Sequence, residues 1–412
     1  MKIKRPKEGE LIPAYPSHNA GFRSLGNLDP GRLSTILANL DAGDIAEAMT
    51  LFDEMEEKDL HLGAVSQTRK LAVVARDRTV IPASDDDEDK KIADFVKDVF
   101  TSIPQKPAAF TRLLSAVTHG FAIAEIVWEI SDGMVTIKDL IGRPQNIFTF
   151  IDHEEPARLL DFPRLIEQGT GRGAPLPREK FVFHRHQSGD SACVRAGLYR
   201  GISWYYLFTS FTIKDWLTFI DIYGIPLRLG RFKPTADDTA RDVLKDAVMN
   251  LGSDAAAVIS DDTSIEFIQS ALAGDHSLFR EAAEYFNRQK SKRLLGQTLT
   301  TEGQDKGSFA LGKIHDQVRN DIVAYDAMAL DETINCDLIK PLVDFNFGVR
   351  KRYPRVVTSL VSAGETDMKL EQVEKLVAMG AKIPARVVAE ITGIPITGDL
   401  DESLVSRKGA AA

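Results

Sequence analysis

Over roughly the first 120 residues, apolar positions recur at three- and four-residue steps, and the spacing predicts a succession of amphipathic helices. Asp29-Pro30 reads as a helix start, with Asp as cap and Pro at the first helical position, and helical patterns follow from Asp44 to Lys58, from Asp59 to about Ala75, from Lys90 to Phe100 and from Ala108 to His119. The period then drops to two. Phe121 to Ile130, Met134 to Ile141 and Ile147 to Ile151 alternate as strands do, with Asp132-Gly133 as a hairpin signal, and Lys180 to His186 reads as a further strand. The expectation is an α+β unit over residues 29–202 with a mostly antiparallel meander. Residues 1–28, polar with Pro6, Pro13 and Pro16, read as an extended arm.

Residues 203–223 break the amphipathic pattern. Large apolar or aromatic side chains fall on nearly every side of this helix, more than one core face requires, while Lys214, Asp215 and Asp221 speak against a membrane span. Such a helix is expected to be buried in protein, partly by other copies of itself. Gly224-Ile225-Pro226 stops it, residues 224–274 form an insert, and a second helix over 275–296 ends at Gly296.

In the insert, Thr235 caps a helix whose apolar face carries Ala240, Val243, Leu244, Ala247, Val248 and Leu251, and the segments 256–260 and 264–269 are expected to form a hairpin about Asp261-Asp262. A polar, glycine-bearing loop follows, within 297–315. A long helix is then expected from about Asp316 to Asp344, its apolar seam at Val318, Ile322, Tyr325, Ala329, Cys336, Ile339 and Val343, with Pro341 bending or ending it near Asp337. Beyond a basic cluster, Arg350-Lys351-Arg352 with Arg355, the spacing predicts short helices over 367–379 and 385–392. The cluster reads as a solvated linker, with DNA contact as the alternative.

Gly201-Ile202-Ser203-Trp204, Tyr223-Gly224-Ile225-Pro226-Leu227-Arg228, Leu294-Leu295-Gly296-Gln297-Thr298-Leu299-Thr300 and Gly307-Ser308-Phe309-Ala310-Leu311-Gly312 follow one another in an order and spacing that resembles the portal proteins of Mu-like tailed bacteriophages and prophages, from about Leu25 to Phe347. The resemblance implies a portal-type fold: an α+β wing at 29–202, a two-helix stem at 203–223 and 275–296, a small α/β clip at 224–274, and a tunnel loop at 297–315. A long helix at 316–347 would lead to a helical crown at 348–412. It implies a dodecameric ring at one capsid vertex through which double-stranded DNA passes. Terminase, major capsid or scaffold protein and head-tail adaptors would be its partners, in the virion after assembly in the host cytoplasm. The tunnel loop would present Thr301, Glu302, Gln304, Asp305, Lys306, Ser308 and Phe309 to DNA. Arg288, Lys290, Lys292 and Arg293 are possible channel-facing cations, and Trp204, Phe208, Phe211, Trp216 and Phe219 are expected at the subunit interface.

Composition narrows this further. The chain has 412 residues, 43% of them hydrophobic, enough for a large core, and its net charge of −9 speaks against a protein that grips nucleic acid by neutralising phosphates. Any DNA contact should be loose or local. Two cysteines far apart, Cys193 and Cys336, fit neither a disulfide framework nor a zinc ribbon. No apolar run follows the basic N-terminus, so neither secretion nor a membrane segment is expected.

Candidate chemistry is thin. The run Asp85–Asp89 lacks the spacing of a calcium loop and reads as a helix start. Gly169-Thr170-Gly171-Arg172-Gly173 precedes prolines rather than a helix, and no Walker A lysine occurs. His184 and His186 share one strand face and could hold a metal with Asp190 or His153, which gives the runner-up reading of a metal-dependent phosphodiesterase; structural histidines are the simpler account. A head-tail adaptor ring is a third reading. The expectation is a structural protein, not an enzyme, with no cofactor.

Overall fold

The computed structural model describes residues 28–152, 154, 159–166, 173–186, 192–223, 227–232, 238–239, 241–242, 245–246, 263–268, 277–298, 309–359, 363–385, 387–388 and 403–404. Three helices open it: α1 (Pro30–Asp41), α2 (Ala46–Lys58) and α3 (Leu60–Val74). Asp29 caps α1 by accepting from the Arg32 N–H at 2.9 Å, and Asp59 caps α3 by accepting from the Leu62 N–H at 2.9 Å. After β1 (Arg78–Ile81) come α4 (Asp87–Ser102), α5 (Lys106–Leu113) and α6 (Ala116–His119). The acidic run does start α4, with Asp87, Glu88 and Asp89 in its first turn. It also does something the local pattern does not foretell: Arg350 donates to Glu88 at 2.8 Å and lies 3.8 Å from Asp89. One arginine of the basic cluster is thus held in an ion pair at the surface of the fold.

The hairpin of β2 (Phe121–Ser131) and β3 (Met134–Arg143) turns at Asp132-Gly133, whose φ values of 51° and 77° are those a type I′ turn demands. The expected meander stops there. β4 (Phe148–Ile151) pairs instead with β5 (Leu159–Ile166), which pairs with β6 (Gly173–Ala174), while β7 (Phe181–Arg185) takes the open side of β2. The reason lies in β2 itself, every residue of which is buried from Phe121 to Trp128. Ala122, Ala124, Ile126 and Trp128 enter one core with α4 and α5, whereas Phe121 and Ile123 enter another with α1, α2 and β4. A strand buried on both faces belongs at the centre of a sheet and takes a neighbour on each side.

Past α7 (Cys193–Ala196), two long helices, α8 (Tyr199–Tyr223) and α9 (Ser277–Leu295), bracket the insert. Within it, β8 (Leu227–Phe232) runs antiparallel to β9 (Thr263–Ile268). The strand expected at 264–269 is therefore present, but its partner among the described residues is the segment leaving α8. The expected partner at 256–260, most of the expected helix at 240–251 and much of that at 385–392 lie outside the described residues.

The long helix begins at Phe309, seven residues before the expected start, as α10 (Phe309–Ile334). It neither ends nor breaks at Pro341. A π turn over Asn335–Ile339 leads without interruption into α11 (Lys340–Phe347). The wider turn accommodates a residue that lacks an N–H and whose ring would crowd the carbonyl four residues back. The buried seam differs from the expected one up to the π turn, where Val323, Ala327, Leu330, Ile334 and Leu338 are buried while Val318, Tyr325 and Cys336 are exposed; Ile339 and Val343 are buried as expected. Two apolar stripes run along this helix, and the core takes the neighbouring one over α10.

Polar side chains of the same helix close the edges of two sheets. β10 (Arg355–Thr358) pairs with β1 on one side. On its other side the Thr358 N–H and hydroxyl donate to Asp331 at 2.6 and 2.7 Å, and Asn335 exchanges two hydrogen bonds with the backbone of Val356 at 2.7 and 2.9 Å. Asp337, in the π turn, accepts from the Phe183 N–H of β7 at 3.0 Å. Strand edges that would otherwise be open to pairing are thereby occupied. The chain closes with α12 (Ala363–Ala378), followed by Gly380 at φ 91°, and a short pairing of β11 (Ile383–Pro384) with β12 (Ser403–Leu404).

Candidate functional site

The two long helices pack antiparallel through rings: Tyr205 and Phe208 of α8 each lie 6.1 Å from Phe286 of α9, and Phe219 lies 5.5 Å from Phe279. Successive residues turn by about 100° around a helix. Ile213, Leu217 and Ile220 therefore line a strip well to one side of the face that meets α9, and all three are exposed, Leu217 by 58%. On α9, Leu278 is 68% exposed and Tyr285 is exposed beside it, again off the α8-facing side. The pair thus carries apolar strips on two different flanks. No helix among the described residues is long and apolar enough to cross a membrane.

Of the aromatic residues expected at a subunit interface, Phe208 and Phe211 are exposed and Trp204, Trp216 and Phe219 are half-buried. Trp204 leans on the core formed with α1 to α3, and Phe219 on Phe279. Ile213, Leu217 and Ile220 were not singled out by sequence. Subtracting the α9-facing side from the helix would have found them.

The four basic residues of α9 separate. Lys290 is fully buried and faces no channel: it forms a close ion pair with Asp59, the cap of α3, and a 3.3 Å hydrogen bond with Asn287. It shares the inward side of α9 with Phe279 and Phe286, and burial draws its pKa below the ordinary lysine value against the pull of Asp59. Arg288 is half-buried and donates to Glu284 at 3.3 Å. Lys292 and Arg293 are exposed. Thr301, Glu302, Gln304, Asp305, Lys306 and Ser308 lie outside the described residues, and Phe309 is the first residue of α10 rather than part of a loop.

His184 and His186 line one cavity of about 350 Å³ with Tyr325, Met328 and Cys336. Burial, with His186 nearby, pulls His184 down to about 3, and its Nδ1 lies 2.9 Å from the Thr333 hydroxyl. Burial lowers His186 as well. The proposed third ligands, His153 and Asp190, lie outside the described residues, and among the described residues no three His, Cys, Asp or Glu side chains are grouped to hold a metal.

The backbone resembles that of chains in solved structures of a gene transfer agent particle. A chain of the virion of the native gene transfer agent particle superposes with a TM-score of 0.59 over 85% of this chain and 94% of that one, at 9% identity. A chain from the neck of the native particle, computed with C12 symmetry, gives 0.57 over 82% and 91%, also at 9% identity. In sequence, the chain is 29% identical to the Mu-like prophage FluMu protein gp29 of Haemophilus influenzae, over 98% of this chain and 77% of that protein. It is also 29% identical to the portal protein of Escherichia phage Mu, over 89% and 71%. The family model described as the portal protein of Mu bacteriophage matches residues 49–394, so the chain belongs to the family of Mu-type phage portal proteins.

Proposed function

We propose that this portal protein assembles as a ring at one vertex of the capsid and conducts double-stranded DNA during packaging and ejection. The observation that carries the ring is the stem pair, α8 and α9, with unpartnered apolar strips on two different flanks. Two unlike faces on one rigid unit pair head to tail, and such contacts close into rings when the rotation between copies divides a full turn. Twelve copies fit the symmetry of the neck structure whose fold this chain shares. Its role is structural and conducting.

Residues 224–274, held between α8 and α9, are the surface for terminase during packaging and head-tail adaptors afterwards, and the wing helices face capsid or scaffold protein. Residues 299–308, which join α9 to α10, reach the DNA, with Lys306 as the contact to phosphate and Glu302 and Asp305 keeping it brief. The net charge of −9 per copy supports a channel that lets DNA slide. Electron microscopy of the purified protein tests the reading: rings with an axial channel are expected, and monomers or open fibres at all concentrations would overturn it. Trp216→Asp, which sets a charge at a half-buried position of α8, is expected to abolish the rings.

A further inference from the structure

The last turns of α9 are held to α3 by polar contacts. Lys290 pairs with Asp59, the Ser291 hydroxyl lies 2.7 Å from the His61 Nε2, and Arg69 donates through Nη1 to the Leu294 carbonyl at 2.6 Å. That carbonyl belongs to the final turn, where no intrahelical N–H remains to satisfy it, and a cation there also suits the helix dipole. The rest of the Arg69 guanidinium forms a fork on α10: Nε to Asp326 Oδ2 at 2.7 Å and Nη2 to Asp326 Oδ1 at 3.0 Å. Arg69 is 10% and Asp326 2% exposed at the side chain. One planar group therefore touches three elements at once.

A second contact holds the same place. Gly296, just past α9 at φ 69°, lies so close to α10 that a Cβ built on it would be 3.0 Å from Val318 Cγ1 and 3.2 Å from Ile322 Cδ1. The end of α9 and the flank of α10 meet here so closely that a methyl group would have to push Val318 and Ile322 aside by a few tenths of an ångström.

We propose that Arg69 is a positioning residue that sets the splay between α9 and α10, and with it the fixed base from which residues 299–308 depart. The consequence for DNA rests on the portal reading above; the splay itself does not. Only a guanidinium performs the bridge. A lysine ammonium reaches Asp326 or Leu294 but has no rigid fork with which to hold both. An apolar pair at 69 and 326 would pack α3 on α10 and leave the end of α9 untethered.

The test uses the full chain with Cys193→Ser and Cys336→Ser, spin-labelled at Lys292→Cys on α9 and Gln317→Cys on α10, both exposed positions. A single narrow distance distribution is expected with Arg69 present. Arg69→Lys, which keeps a cation beside Asp326, should still fold, with a lower thermal midpoint, and should broaden and shift the distribution. Arg69→Met with Asp326→Leu, which removes the pair without stranding a charge, should broaden it as well. Distributions unchanged in both variants would overturn the proposal. In assembled heads, Arg69→Lys should leave ring number unchanged and lower the fraction of heads that retain DNA; full retention despite a shifted distance would overturn the link to the channel. Failure of the parent protein to form rings would instead count against the portal reading and leave the distance result standing.

Discussion

His184 donates its Nδ1 proton to Thr333: the two atoms lie 2.9 Å apart, and the threonine hydroxyl already gives its own proton to the Ala329 carbonyl at 3.0 Å. The imidazole is held neutral, with its pKa pulled from 6.5 to about 3 by burial. Between those values the unfolded chain binds a proton that the folded chain refuses, so stability rises with pH across the window and is lost as pH falls through it, by several kcal/mol in all. Asp53 and Glu56, whose pKa values His119 and Lys70 hold below the carboxylate norm, add a second loss further down, below their ordinary values of 3.8 and 4.5. Asp331 and Asp337, raised by burial, act in the opposite sense as they protonate. Denaturant titrations at pH 7, above the window, and at pH 4.5, inside it, should show a marked drop between the two. The drop should be shallower in His184→Gln, and an identical slope in that variant would refute the assignment.

Glu125 is fully buried on the central strand and is gripped from both sides, by Arg143 with Nε at 2.8 Å and by Lys180 with Nζ at 3.2 Å. Glu125→Ala should destabilise the protein by about 3 kcal/mol, because two cations lose the charge that allows them to sit at the sheet. The urea midpoint of the variant checks this, provided the slope of the transition is unchanged.

Leu217→Glu separates folding from assembly. The side chain is 58% exposed in the single chain, so the far-ultraviolet spectrum and melting temperature of the subunit should be unaffected while sedimentation shows loss of rings. A variant that still sediments as rings would place this strip on the outside of the assembly.

Gly296→Ala strains the backbone at φ 69° and pushes a methyl group against Val318 and Ile322. A loss of about 1–2 kcal/mol is expected. Thermal unfolding measures it, and a neutral result would mean that α10 yields at this contact.

Replacing Gln304 to Ser308 by two glycines addresses residues 299–308 directly. Rings should form and melt as in the parent, while DNA packaging or retention in filled heads drops. Normal yields of DNA-filled particles would assign this stretch to the surface.

What the sequence made legible was whatever a few neighbouring residues decide. Asp29 and Asp59 cap because their carboxylates reach an N–H three residues on, and Asp132-Gly133 turns because both positions take positive φ. Long-range choices were not legible. Nothing local sends β4 to β5 rather than β3, brings β7 to the open side of β2, or turns Lys290 inward to an aspartate 231 residues away. The bond between Arg350 and Glu88 joins a basic run that reads as a solvated linker to an acidic run that reads only as a helix start. Of the stem, the all-round apolar character was readable, but which residues remain uncovered depends on where α9 docks.

The π turn before Pro341 has a consequence for the face that the long helix buries. Buried positions ahead of it, Val323, Ala327, Leu330 and Ile334, keep one phase, while those just after it, Ile339, Leu342 and Val343, fall about 90° or more out of step if counted along an unbroken α-helix. A single supernumerary residue absorbed in the wide turn restores the phase and returns both halves to the same core. The wide turn over Asn335–Ile339 therefore resets which face of the helix is buried, and it carries Asn335 and Asp337 to the two strands whose edges they close.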